Sequence, residues 1–374
     1  MESFAMKIDL RRLIRPALFI ILIYILLIVG PVAGFDIPAI WESVRSNPKL
    51  LIQYLIIGLA NGSITAIIAL GYTMVYGIIE LINFAHGDVY MIGVFTALTT
   101  ISLTGTINSN DPTHIILGMV FALIVAIVVC GLLNMTIERL AYRRLRNAPR
   151  LAPLISAIGM SFIVENIGLI WAGQQWLVPS FGTTGGGAQK YFPDLLSALM
   201  KAWGHDINLL ANTGIGLRFT VKDLLVIVLA GILMIGLRLF VQRTTLGKAM
   251  RATSQNRDAA KMLGIDIDRV ISITFLIGGG LAGAAGLMSG LYNGNAWWFM
   301  GFRAGLDAFT AAVLGGIGNI TGAMLGGMLI GLLASFSDAY LNSGYTHAWV
   351  FAILVLVLVF RPTGLLGEQT GQKA

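Results

Sequence analysis

Apolar runs long enough to cross a bilayer follow one another through this chain, with few charges inside them. A spanning helix takes about 20 apolar residues. Ten stretches approach that length: 16–33, 51–79, 88–104, 115–137, 151–172, 221–241, 270–292, 305–318, 322–341 and 346–360. In lipid every backbone polar group must be bonded inside a helix or a closed barrel. The expected fold class is therefore an all-α integral membrane protein, a polytopic helical bundle of about ten spans with broken or re-entrant helices among them. Two runs carry that irregularity. The run 51–79 is overlong and holds Asn61, Gly62, Ser63 and Thr65, while 305–318 is short and ends in Gly315, Gly316, Ile317 and Gly318. Interrupted spans of this kind occur where transporters bind their cargo.

The formal net charge of +7 invites a nucleic-acid reading, and the placement of the charges removes it. If the spans alternate, one side receives four basic residues before residue 16, five in 138–150, six in 242–269, and Arg361 with Lys373. That is seventeen of the 25 lysines and arginines; the other side receives Arg45, Lys49, Lys190, Lys201, Arg218 and Lys222. The positive-inside rule puts the richer side, with both termini, in the cytoplasm. The excess is a topology signal and needs no nucleic acid. Lys7, Arg11, Arg12 and Arg15 before the run from Ala17 to Val29 imitate a signal peptide, with Val32-Ala33-Gly34 as a cleavage-like site. An uncleaved first helix is the preferred reading. The single cysteine, Cys130, excludes an intramolecular disulfide, and four scattered histidines form no metal-ligand pattern.

Glycines repeat at helical spacing. Gly279 and Gly283 are four apart, as are Gly286 and Gly290, Gly322 and Gly326, and Gly327 and Gly331. Small residues at this interval let helix backbones approach where lipid offers no hydrophobic drive.

Polar groups at membrane depth are costly and mark candidate function. Glu80, Asn83, His86 and Asp88 lie between two spans. They read as a turn in which Asn83 or Asp88 caps a helix, as a broken helix lining a pathway, or as a metal or proton site. Glu165 and Asn166 fall in the middle of 151–172, and Arg303 and Asp307 are placed to pair at i,i+4. Trp297, Trp298 and Phe299 beside them read as interface anchors or as part of a substrate route. The long loop 173–220, with Trp176, Gly185–Gly187, Trp203 and an amphipathic segment around Pro193–Trp203, reads as a docking surface or an interfacial lid. The candidate pathway set is Asn83, His86, Glu165, Asn166, Trp298, Arg303 and Asp307.

The chain has no phosphate-binding loop, H-E-x-x-H or Gly-x-Ser-x-Gly sequence, so no catalytic constellation and no cofactor site is assigned. Yet 243–269 is polar and basic between two membrane-length runs, the position of a contact with a soluble partner. Within it Asp258-Ala259-Ala260-Lys261-Met262-Leu263-Gly264 resembles the E-A-A-x-x-x-G segment of ATP-binding-cassette importer permeases, with Asp in place of Glu and without a downstream proline. Further motifs are similar to the high-affinity branched-chain amino-acid permease family of LivH type: Gly71–Ile79, Ile82–Gly93, Leu154–Met160, Met262–Ile265 with Asp268–Ile271, Ala308–Gly318 and Pro362–Gly367.

That resemblance implies a permease domain over 51–367, an added N-terminal span and outer loop over 1–50, and a tail over 368–374. It implies a non-enzymatic, multi-pass subunit of a bacterial inner membrane. The implied partners are a second, LivM-like permease, two ATP-binding subunits and a periplasmic amino-acid-binding protein, all amid membrane lipid. Arg251, Arg257, Asp258, Ala259, Ala260 and Gly264 would form the ATPase-coupling contact. Asp307 and the aromatic cluster depart from the family pattern, so a broader neutral amino-acid range, of the kind found in cyanobacteria, fits as well. A urea or short-chain amide permease of the same family and an ion-coupled transporter working alone are the alternatives.

Overall fold

The computed structural model describes residues 36–146, 148–149, 151–174, 189–211, 214, 216–361 and 363–367. The 16–33 run, Trp176, Gly185–Gly187, Arg150, Pro362 and the 368–374 tail lie outside the described residues. The chain is a helical bundle. Its helices are α1 Ile37–Ser46, α2 Pro48–Ile79, α3 His86–Leu103, α4 Pro112–Ile137, α5 Leu151–Gly173, α6 Leu195–Ala202 and α7 Val221–Arg243. They continue as α8 Thr245–Gln255, α9 Arg257–Met262, α10 Ile267–Asn293, α11 Met300–Gly315, α12 Ile320–Tyr340 and α13 Thr346–Phe360. Two short strands, β1 Gln189–Tyr191 and β2 Asn295–Trp297, form an antiparallel ribbon with Lys190 opposite Ala296. This ribbon is a small addition to an otherwise all-α expectation.

Among the described residues seven helical stretches are long and apolar enough to cross a membrane. They contain α2, α4, α5, α7, α10, α12 and α13. The all-α membrane bundle is borne out, with seven such stretches; the expected 16–33 span lies outside the described residues. The 88–104 run folds into α3, whose residues from His86 to Ile101 are all buried in protein, its threonines included. A helix wrapped this way has no lipid-facing surface to make apolar. The 305–318 run folds into α11, whose 16 residues reach about 24 Å against a hydrocarbon core of about 30 Å.

The helix ends follow from local sequence. Asp111 accepts from the Thr113 N–H ahead of Pro112, which opens α4. Thr220 and Asp223 form a reciprocal capping box at α7. Asp194 caps α6 and accepts from Lys222 Nζ at 2.7 Å, which ties the start of α6 to α7. Burial raises the Asp194 carboxyl, but the bonds from Lys222 and Ser197 outweigh it and hold it below the ordinary carboxylate value.

The core is built around α10, which packs on α2, α3 and α4. Gly279 and Gly283 lie on the α4 backbone at Cys130 and Ala126, and Gly286 lies on α3 at Gly93 and Val94. Gly290 meets the Phe192 ring. A methyl at Gly283 would sit 2.3 Å from the Ala126 carbonyl oxygen, so any side chain there forces the helices apart. Gly327 and Gly331 give α12 the same close approach to Ala66 and Gly62 of α2, and Gly322 and Gly326 lie against Gly315 and Ala311 of α11.

Helices α3 and α11 are the two halves that position the site. Glu80 ends α2 in a left-handed conformation at φ 55°, and the chain turns back into the bundle through 81–85. The His86 ring then packs on Gly71, eight residues before the end of α2, or about 12 Å inside it. From the other end, the chain leaves β2 and enters α11 at Met300. Gly301 and Gly305 of α11 lie directly on Gly87 of α3. The two short helices therefore meet at their N-terminal ends inside the bundle.

Candidate functional site

Neither of these N-terminal ends has a side-chain cap. Asp88 stands in the first turn of α3, 1% exposed, and its Oδ1 lies against Gly301 of α11. The positive ends of two helices face this carboxyl and offset part of the cost of burying it. Its Oδ2 accepts from Ser161 Oγ of α5. Its Oδ1 is buried without a hydrogen bond. Asp88 thus links α3, α5 and α11 at one point.

Beside that point α5 and α11 face each other across a cavity of about 230 Å³. Phe84, Phe162, Phe299, Phe302 and Phe309 contribute five phenylalanine rings to its wall; Tyr72, Ser161 and Glu165 supply the polar groups. Ser161 and Glu165 are one turn apart on α5 and so share a face. The cavity is apolar over most of its surface.

The sequence-nominated residues divide around it. Glu165 lines the cavity, and Trp298 belongs to the aromatic cluster whose Phe299 and Phe302 do. His86 lies behind the wall, edge-on to Tyr72 with ring centroids 4.8 Å apart. Asn83 is buried elsewhere: it donates to Asn134 and accepts from the Tyr142 hydroxyl, while Asn134 donates to the Phe275 carbonyl. It caps no helix, and neither does Asp88, because the N-cap of α3 is Ala85 without a side-chain bond. Asn166 is exposed and donates to the Phe162 carbonyl of its own helix. Arg303 lies over the Trp297 ring at 5.1 Å, and Asp307 contacts His347 at 3.2 Å. The expected Arg303–Asp307 pair is replaced by these two contacts, because tertiary partners outcompete a weak i,i+4 attraction. Glu80 is exposed at the end of α2, and no metal-ligating cluster occurs among the described residues. Tyr72, Ser161 and the bridging role of Asp88 were missed; a carboxylate just inside an apolar helix was the available signal.

The basic loop forms a ledge. Asn256 ends α8 and caps α9, accepting from Ala259 N–H. Arg257 reaches back to the Ile78 carbonyl of α2 at 2.8 Å, and Arg251 donates to the Gln242 carbonyl. Asp258 and Ala259 are exposed and Ala260 is buried. Gly264 closes α9 at φ 80°, and Ile265 N–H bonds the Ala260 carbonyl past it. This glycine C-cap leaves Met262 89% and Leu263 79% exposed. Two bare apolar side chains thus stand together on a polar ledge. A second cavity, of about 360 Å³, lies between the ledge, Glu80, Arg146 and Pro153.

Another buried carboxylate anchors this end. Glu138 sits in a π-helical turn after α4, fully buried. It accepts from Arg143, Arg146 and Ser272 Oγ, the last at 2.7 Å. Arg146 also bridges to Asp268 in the first turn of α10, joining the end of α4 to the helix that follows the ledge.

The family model for the branched-chain amino acid transport system permease component matches residues 54–360. BraD of Pseudomonas aeruginosa, a high-affinity branched-chain amino acid transport system permease protein, is 40% identical over 322 residues, covering 86% of this chain and 97% of that protein. LivH of Escherichia coli K12, described in the same terms, is 38% identical over the same shares. A probable branched-chain amino acid transport permease of Methanocaldococcus jannaschii is 26% identical over 317 residues, covering 82% of this chain and 89% of that one. No solved structure matches the chain.

Proposed function

The chain belongs to the family of branched-chain amino acid transport permease components, and from that premise we propose that it is the membrane subunit of an ATP-driven importer of branched-chain or other neutral amino acids. It is a transport subunit and not an enzyme. ATP hydrolysis takes place in two partner subunits, a second permease completes the pathway, and a periplasmic binding protein delivers the amino acid. The protein resides in the bacterial inner membrane with the ledge and both termini in the cytoplasm. Coupling runs through the segment Asp258–Gly264, with Arg251 and Arg257 flanking it. The observation that carries this reading is the ledge itself, whose exposed Met262 and Leu263 offer an apolar grip to a soluble partner. Arg257 ties that ledge to the end of α2, so a push on it reaches a spanning helix. Alternating access then follows from rigid-body movement of packed helices.

The test is Gly264→Val. A methyl at Gly264 meets nothing within 4 Å, so the effect acts through backbone conformation. A positive φ costs an L-residue about 1–2 kcal/mol, more for a β-branched one, and α9 would lose its cap. The expected result is normal membrane insertion with loss of uptake and of co-purifying ATP-binding subunits. Wild-type uptake by that variant would overturn the coupling assignment.

A further inference from the structure

The buried carboxyl at the junction of α3, α5 and α11 is unexplained by packing. Asp88 Oδ1 has no hydrogen bond, and an unpaired buried carboxylate oxygen is expensive to keep. No helix end is capped by it. Its one bond holds Ser161, whose helix presents Glu165 one turn along the same cavity. Lysine and arginine are absent from the described residues lining that cavity, and the remaining wall is aromatic or aliphatic. A ligand that satisfies this arrangement carries a cationic hydrogen-bond donor at one end and an apolar body at the other.

We propose that Ser161 and Glu165, backed by the Asp88 carboxyl that Ser161 donates to, receive the ammonium group of the amino acid in transit, while the phenylalanine wall receives its side chain. This rests on the transport reading above and names the specificity-determining group within it. Ser161 and Glu165 line the cavity and offer oxygens to an ammonium, and Asp88 stands one hydrogen bond behind Ser161. The faces of the flanking phenylalanines favour a cation as well. Helices α5 and α11 are joined at this point through one carboxyl. A ligand bound there therefore changes how the two helices are held together.

The test is equilibrium binding of tritiated L-leucine to the assembled importer in nanodiscs, without binding protein, alongside uptake in proteoliposomes. Leucinamide keeps the ammonium and lacks the carboxylate; isocaproate keeps the carboxylate and lacks the ammonium. Leucinamide is expected to displace leucine and isocaproate to leave it bound. D88N is expected to weaken leucine binding about tenfold or more, as loss of a charge-assisted hydrogen bond does, and D88E to restore part of it. S161A, which removes a neutral acceptor and leaves both carboxyls, is expected to weaken binding less than D88N. Displacement by isocaproate as strong as by leucinamide overturns the proposal, as does wild-type binding by D88N. Leucine uptake by a wild-type complex that shows no saturable leucine binding overturns it too. If the wild-type complex takes up no amino acid at all, the transport reading itself fails.

Discussion

Two of the carboxylates buried among the described residues, Glu138 and Asp88, are kept in opposite ways. Glu138, at the ledge end, is surrounded by two arginines and a serine hydroxyl. Asp88, at the junction of the broken helices, has one hydroxyl on one oxygen and nothing on the other. Both are inaccessible to solvent. A satisfied buried carboxylate defines an architecture, because removing it strands its partners. An unsatisfied one reserves a binding capacity that the fold alone leaves unused. The difference separates the end of the molecule that must hold its shape from the place where a ligand is received.

The largest expected effect breaks that comparison at Glu138. Glu138→Ala leaves two arginines without their buried partner and should destabilise the folded protein by about 3–5 kcal/mol, read as a lowered thermal midpoint or lost expression. Asp88→Asn should leave the thermal midpoint unchanged or raised, since it removes an unpaired buried charge. Equal destabilisation by the two would erase the distinction. Asn134→Ala is intermediate: it strands Asn83 and the Phe275 carbonyl, at about 1–3 kcal/mol, measured by the same melt. The smallest effect is at the outer loop. The carboxyl of Asp194 is held below its ordinary value, so its clasp on Lys222 contributes stability above the unfolded pKa and loses it as pH falls through the folded one. Trp203 emission, reporting on the end of α6, should change only in acid, below about pH 4. Asp194→Asn should remove that transition; an unchanged acid profile in the variant would contradict the assignment.

Much of the bundle was legible from hydropathy, because lipid imposes a length and a composition on each span. The helices α2, α4, α5, α7, α10, α12 and α13 correspond to runs that the sequence marks. Helices α3 and α11 do not announce themselves as partial spans. An apolar run buried in protein looks the same as one buried in lipid, and only the brevity of 305–318 and its terminal glycines hinted otherwise. Glu165 was legible as a carboxylate amid apolar residues. Asp88 was visible but left open between a cap, a pathway lining and a metal or proton site, because its meaning depends on Ser161 and Gly301, 73 and 213 positions away. Arg303 and Asp307 show the converse: their spacing suggested a local pair, and distant Trp297 and His347 claimed them. The ledge was the most legible part, since a polar island between spans has few physical explanations.

The β1–β2 ribbon ties a loop between α5 and α7 to the residues that lead into α11. Only Trp298 and Phe299 separate β2 from Met300, and Gly301 is already in contact with the Asp88 carboxyl. That loop is therefore geared to the bundle interior. A displacement of the ribbon is either absorbed by those two aromatic residues or delivered as a tug on the first turn of α11.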